Sequence, residues 1–137
     1  MASAQQYALP WRRGMQSSEF EWHTDREETF AENFGMELYD VREARRIVAG
    51  HPREVAEWPL EGKRRAYLEE LVDNTRIRPD CDWAKVDAAF PIIFGVKDGV
   101  GTLIDGNHRV RKALDNGAAT VRVVKLSPDE TTSVRVR

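Results

Sequence analysis

The chain predicts an α+β domain, with N-terminal helices packed on a small mixed sheet whose core runs strand, hairpin, strand, helix, strand. Three observations carry that expectation. Between residues 40 and 72 apolar side chains return every three or four positions, the period of a helix with one buried face. From about residue 90 the pattern changes to apolar runs broken by glycine turns, the pattern of strands. A single helical stretch, 107–116, interrupts those strands, and helices followed by strands is the order of an α+β chain rather than an alternating one. At 137 residues, one domain with a single core accommodates the whole chain.

Residues 1–22 hold Tyr7, Trp11, Phe20 and Trp22 among polar neighbours, so this arm is expected to pack on the body. The helical part spans 24–75. Thr24 and Glu27 make a capping-box pattern ahead of a short helix carrying Phe30 and Phe34 and closed by Gly35. Asp40 and Glu43 repeat the pattern, opening a helix whose inward face is Val41, Ala44, Ile47 and Val48 and whose stop is Gly50. Pro52 suits the first turn of another short helix reaching Trp58, which Pro59 breaks. From Leu60 a longer helix buries Tyr67, Leu68, Leu71 and Val72 and turns the mixed-sign set Lys63, Arg64, Arg65, Glu69 and Glu70 to solvent.

The core region spans 91–126. Pro91 to Val96 reads as a strand, Lys97-Asp98-Gly99 as a hairpin turn and Val100 to Ile104 as the partner strand. Val110, Ala113 and Leu114 mark one buried face of the helix that follows, and Asn116-Gly117 is its stop. Thr120 to Leu126 is the next strand. Thr132 to Arg137 alternates Val134 and Val136 against Arg135 and Arg137, the pattern of an edge strand protected by charge.

The electrostatics of the 107–116 helix stand out. His108, Arg109, Arg111 and Lys112 crowd its first two turns, where the macrodipole is already positive and each uncompensated cation costs roughly 0.3–1 kcal/mol. Backbone N–H groups at such a start, with Gly106 and Asn107 at the turn and cations beside it, form an anion site. The competing reading makes Asp105 a cap and the basic residues a solvated face, with Arg109 paired to a carboxylate such as Asp105 or Asp115.

Composition excludes several classes. The 21 basic and 23 acidic residues leave a net charge of −2, so no global field draws the chain to nucleic acid or an anionic membrane. Cys81 is the single cysteine and lies between Asp80 and Asp82, whose charges raise a thiol pKa, so neither an internal disulfide nor a reactive nucleophile is expected. His23, His51 and His108 lack the spacing of a metal site, and no metal is expected. With no apolar run long enough to span a bilayer and no basic-then-apolar leader, the expected location is the cytoplasm.

Segment 91–126 resembles the ParB/sulfiredoxin superfamily. The residues that carry the likeness are Pro91-Ile92, the Asp98-Gly99 hairpin, Ile104-Asp105-Gly106, the His108-Arg109 pair, Gly117 and Val121-Arg122-Val123. The resemblance implies a phosphate-binding loop at 105–109, used in that superfamily for CTP, ATP or ADP with Mg²⁺. It covers roughly a quarter of the chain, and residues 1–90 add little to it. Three departures narrow it. Asn107 stands where sulfiredoxins carry their cysteine nucleophile, and an amide cannot attack a sulfinic acid derivative. Too few residues follow Leu126 for the helix-turn-helix and dimerisation parts of partitioning ParB proteins. The second ParB nucleotide motif is missing downstream, and Glu32-Asn33 lies upstream as a helix surface pair.

Three functions follow as expectations. In the first, Gly106, Asn107, His108, Arg109 and Lys112 bind a phosphate-bearing small molecule, a nucleotide such as ATP, ADP or CTP, for phosphoryl transfer or phosphate-ester hydrolysis. His108 would orient or protonate a phosphoryl oxygen, and Asp105 would hold Mg²⁺ or act as base. In the second, His108, Arg109, Arg111, Lys112, Arg122 and Lys125 form a local DNA-binding or nuclease-like patch, against the acidic net charge. In the third, the loop is a structural turn in a non-catalytic regulatory module, with Trp11, Trp22, Trp58 and Trp83 as anchors for a partner or a homodimer.

Overall fold

The computed structural model describes residues 11–24, 30–33, 37–73 and 81–136. Six strands are described: β1 (Phe30–Asn33), β2 (Glu37–Asp40), β3 (Ala56–Pro59), β4 (Ile92–Lys97), β5 (Val100–Asp105) and β6 (Thr120–Lys125). The helices among the described residues are α1 (Val41–Gly50), α2 (Gly62–Asp73), α3 (Asn107–Asp115) and α4 (Pro128–Val134), with short 3-10 turns at Ser17–Glu19 and Trp83–Lys85.

β3, β6, β4 and β5 form a mixed sheet in that order, β4 and β6 running parallel and the other neighbours antiparallel. The β4–β5 hairpin turns at Asp98-Gly99, both with positive φ. Because successive strand residues face opposite ways, the sheet is covered on both sides. Ile93, Ile104 and Val124 pack under α1, α4 and the N-terminal segment carrying Met15, Phe20 and Trp22. Ile92, Leu103, Val121 and Val123 pack under α2 and α3, joining Leu68, Leu71, Val110 and Leu114. The α+β class and the mixed sheet are therefore as the sequence predicts.

Local signals account for much of this. Asp40 caps α1, its side chain accepting from the Glu43 N–H at 3.0 Å. At the end of α3, Gly117 (φ +67°) donates to the Leu114 carbonyl and Ala118 to the Ala113 carbonyl, the paired bonds of a glycine C-cap. Trp22 and Phe20 are buried, so the arm packs on the body there as expected, whereas Trp11 is 40% exposed. Tyr7 lies outside the described residues.

Three elements differ from the sequence expectation. Phe30 to Asn33 is a strand rather than a helix, paired antiparallel with β2, and Glu32-Asn33 therefore lies in a strand. Glu27, Phe34 and Gly35, which the helix expectation also used, lie outside the described residues. The expected helix from Pro52 to Trp58 is replaced by an extended segment leading into β3. There Ala56 to Pro59 pair with Thr120 to Val123, and backbone bonding to β6 outweighs the weak helical signal of one proline and one tryptophan. In place of the expected edge strand over 132–137, residues 132–134 are the end of α4, started by a full capping box in which Ser127 and Glu130 satisfy each other's N–H groups, with Pro128 in the first turn; Arg137 lies outside the described residues. Val134 is buried by helical packing, and only Arg135 makes an isolated bridge, to Tyr39.

Candidate functional site

The site lies where β5 becomes α3. β5 carries one extra residue against β4, since Ile93 faces Asp105 while Phe94 faces Leu103, and such a bulge re-aims the side chain beyond it. Asp105 thereby meets Arg45 of α1. Arg45 Nε donates to Asp105 Oδ2 at 2.8 Å and its Nη2 to Oδ1 at 2.9 Å, and a third nitrogen, Nη1, reaches the His23 carbonyl at 3.1 Å. The two side chains are only 10% and 8% exposed, so this is a buried fork-to-fork pair.

Arg109, one turn into α3, joins the same carboxylate. Its Nη1 lies 3.6 Å from Asp105 Oδ2 and donates to the Pro91 carbonyl at 2.9 Å, while its guanidinium sits 4.7 Å from the centre of the Phe90 ring. Burial alone would push the Asp105 carboxyl up. The charge of Arg109, with the hydrogen bonds and charge of Arg45, outweighs it and holds the carboxyl below the usual carboxylate range. Burial in turn pulls the Arg109 guanidinium down, with Asp105 opposing.

The remaining cations of α3 are engaged as well. Arg111 pairs with Asp73 of α2, and Asp115 lies 3.8 Å away. Lys112 Nζ donates to the carbonyls of Trp83 and Val86, both at 2.7 Å, tying the 82–86 turn to the helix. In that turn Asp82 caps its own 3-10 segment. Trp83 is 38% exposed, its ring centre 5.7 Å from that of His108. Lys125 at the end of β6 is exposed, and its carbonyl accepts from Arg53.

What remains at the helix start is backbone. Gly106 occupies the N-cap with φ +114°, and a methyl there would come within 2.5 Å of Ile92 Cγ2. Having no side chain, Gly106 caps no N–H group, and the first turn contains no acid. Asn107 Oδ1 is buried with no hydrogen-bond partner among the described residues.

The structure therefore brings Asp105, Gly106, Asn107, His108, Arg109 and Lys112 to one end of the sheet, as the sequence suggests, but divides their work. Asp105 has each oxygen engaged by Arg45, with Arg109 3.6 Å from Oδ2, and its side chain is only 8% exposed, so it is built as an internal ion-pair partner. Arg109 and Lys112 hold structure. No group of three or more His, Cys, Asp or Glu able to hold a metal occurs among the described residues. No helix there is long and apolar enough to cross a membrane. Comparison of the chain with protein-family models, curated proteins and solved structures returns no match.

Arg45 and Phe90 are the components that sequence reading missed. Arg45 did leave a signal: it lies four residues after Val41 and three before Val48, a charged side chain on the buried face of an amphipathic helix. Such a residue demands a buried partner. Phe90 sits between Arg109 and the edge-on rings of Phe20 and Trp22, 5.4 and 4.8 Å away, so it couples the site to the N-terminal segment.

Proposed function

We propose that the start of α3 binds a phosphate-bearing small molecule, a nucleotide such as ATP, ADP or CTP, in a domain of the ParB/sulfiredoxin type. One observation carries the reading: the positive end of α3 begins without a side-chain cap and without an acid in its first turn, and Asp105, the carboxylate just ahead of it, is taken up by Arg45 and Arg109. The order β4, hairpin, β5, α3, β6 supports the family part of the proposal. A reducing compartment, the cytoplasm, suits a chain with one cysteine.

In this reading the N–H groups of Asn107 and His108 face the phosphate and the Asn107 amide orients it. His108, beside the exposed Trp83, is the residue placed to give a proton to a phosphoryl oxygen if the ligand is turned over. Asp105 and Arg109 act one layer below, fixing the turn. The residues present do not fit a Mg²⁺ ion on Asp105, and no step is assigned to one.

Isothermal titration with ATP, ADP and CTP, with and without Mg²⁺, tests the reading. The expected result is saturable binding of at least one nucleotide, weakened by Asn107→Ala and His108→Ala with the melting temperature of the free protein little changed. Absence of heat for all three nucleotides up to millimolar concentration removes it.

A further inference from the structure

Both guanidinium groups that hold Asp105 are themselves backed by one stretch of chain, the segment from Met15 to His23. Arg45 spends its third nitrogen on the His23 carbonyl at 3.1 Å. Arg109 rests on the Phe90 ring, and Phe90 is met edge-on by Phe20 and Trp22. One contact is made by the backbone of the segment and the other by its rings. They reach the same carboxylate through two different helices, α1 and α3.

The segment is attached to the body with little regular structure of its own, the Ser17–Glu19 turn. Two backbone bonds tie it to 53–55: the Ser17 N–H donates to the Arg53 carbonyl and the Val55 N–H to the Met15 carbonyl, both at 2.7 Å. Ser17 is fully buried; its hydroxyl donates to the Val48 carbonyl at 2.7 Å and accepts from the Arg53 N–H at 3.1 Å. Trp22 Nε1 donates to the Ser17 carbonyl at 2.9 Å, closing the segment on itself. Ser18, Glu19 and Glu21, between these anchors, are exposed. A strip held along one face by a few bonds, with its other face in water, opens more readily than the sheet beneath it. Its opening would take the third acceptor from Arg45 and the edge-on rings from Phe90 together.

We infer that residues 15–23 form a strap that assembles the turn at 105–109. Strap and turn open and close as one unit smaller than the whole fold, so docking of the strap sets the arrangement of Arg45, Asp105 and Arg109. What links them is a shared equilibrium between two packed arrangements, carried by one hydrogen bond and one set of stacked rings. The inference needs only the Asp105 cluster and is independent of what the start of α3 binds. Coupling is reciprocal: whatever favours the assembled turn tightens the strap, and whatever lifts the strap loosens the turn.

Amide hydrogen exchange followed by NMR on the full chain tests this. Three N–H groups report: Val55 on the Met15 carbonyl for the strap, Val110 on the Gly106 carbonyl for the first turn of α3, and Leu126 on the Phe94 carbonyl for the central strands. The Ser17 hydroxyl bonds to Val48 and Arg53 rather than to the Asp105 cluster, so Ser17→Ala loosens the strap directly. It is expected to speed exchange at Val55 and Val110 by similar factors, about tenfold, with Leu126 unchanged. Asp105→Asn is expected to produce the same paired change from the other side. Trp22→Phe keeps an aromatic ring and loses the Nε1 bond to the Ser17 carbonyl, so it serves as the milder strap variant if Ser17→Ala folds poorly. Acceleration confined to Val55 in the strap variants overturns the inference, because the strap then opens without the turn. Equal acceleration of all three N–H groups also overturns it, because strap and turn then open only with the whole fold.

Discussion

Asp105 and Arg122 lie at the same end of the sheet, and their surroundings treat charge in opposite ways. Around Asp105 both carboxylate oxygens are answered: two guanidinium groups, one of them also tied to the Pro91 carbonyl and an aromatic face, enclose one carboxylate. Around Arg122 a guanidinium nitrogen is buried without an acceptor. A satisfied buried network builds architecture, because its members are worth most to one another and least to a visitor. A buried group left without a partner instead carries a desolvation cost in the folded chain. The contrast assigns the Asp105 cluster to holding the turn.

The largest expected effect breaks the first half of that contrast. Arg45→Ala leaves a buried carboxylate with only the longer contact to Arg109, and removal of one partner from such a pair costs about 3–5 kcal/mol. Urea unfolding should show the midpoint falling accordingly. A loss under about 1 kcal/mol would mean that Asp105 is not structural, and would return it to the list of candidate bases.

The Arg53–Glu130 pair sharpens the comparison, because it is forked like Arg45–Asp105 but 21% and 26% exposed. Arg53 Nη2 donates to Glu130 Oε2 at 2.8 Å, and this bond, ahead of the Ser127 N–H and the Arg53 charge, lowers the Glu130 carboxyl from 4.5 to about 2 despite partial burial. The shift alone would correspond to about 3 kcal/mol, which solvent screening reduces to about 1–2 kcal/mol for Glu130→Gln. The thermal midpoint measures it. A loss as large as that of Arg45→Ala would show that burial is not what separates the two pairs.

Much of this architecture was legible from local signals. α1, α2, α3, the β4–β5 hairpin and β6 each carry their own periodicity, cap or turn within a dozen residues. β3 does not: four residues with one proline become a strand only because Thr120 to Val123, far along the chain, offer them a ladder. α4 was hidden by alternating valines and arginines, although Ser127, Pro128 and Glu130 spell a helix start. At the site, the turn and the cations were visible at 105–112. Their division of labour was not, because it depends on Arg45, sixty residues from Asp105 in sequence. A charged residue on an apolar helix face announces that it has a partner without saying which.

The smallest expected effect separates the two surroundings by pH. Asp105 and Glu130 titrate below their ordinary values in the folded chain, so their contribution is present above the unfolded carboxylate pKa, about 4, and is lost as pH falls through the folded values. Asp87 has the opposite sign. Burial raises its pKa, so the folded chain takes up that proton first, and stability rises as pH drops through the raised value. Asp87→Asn should remove that rise while leaving the steeper acid loss intact, seen as a change confined to the mildly acidic part of a stability profile. If the substitution instead makes the loss at lowest pH shallower, then Asp87 is a paired acid like Asp105. The cations near it would then be compensated by that carboxylate.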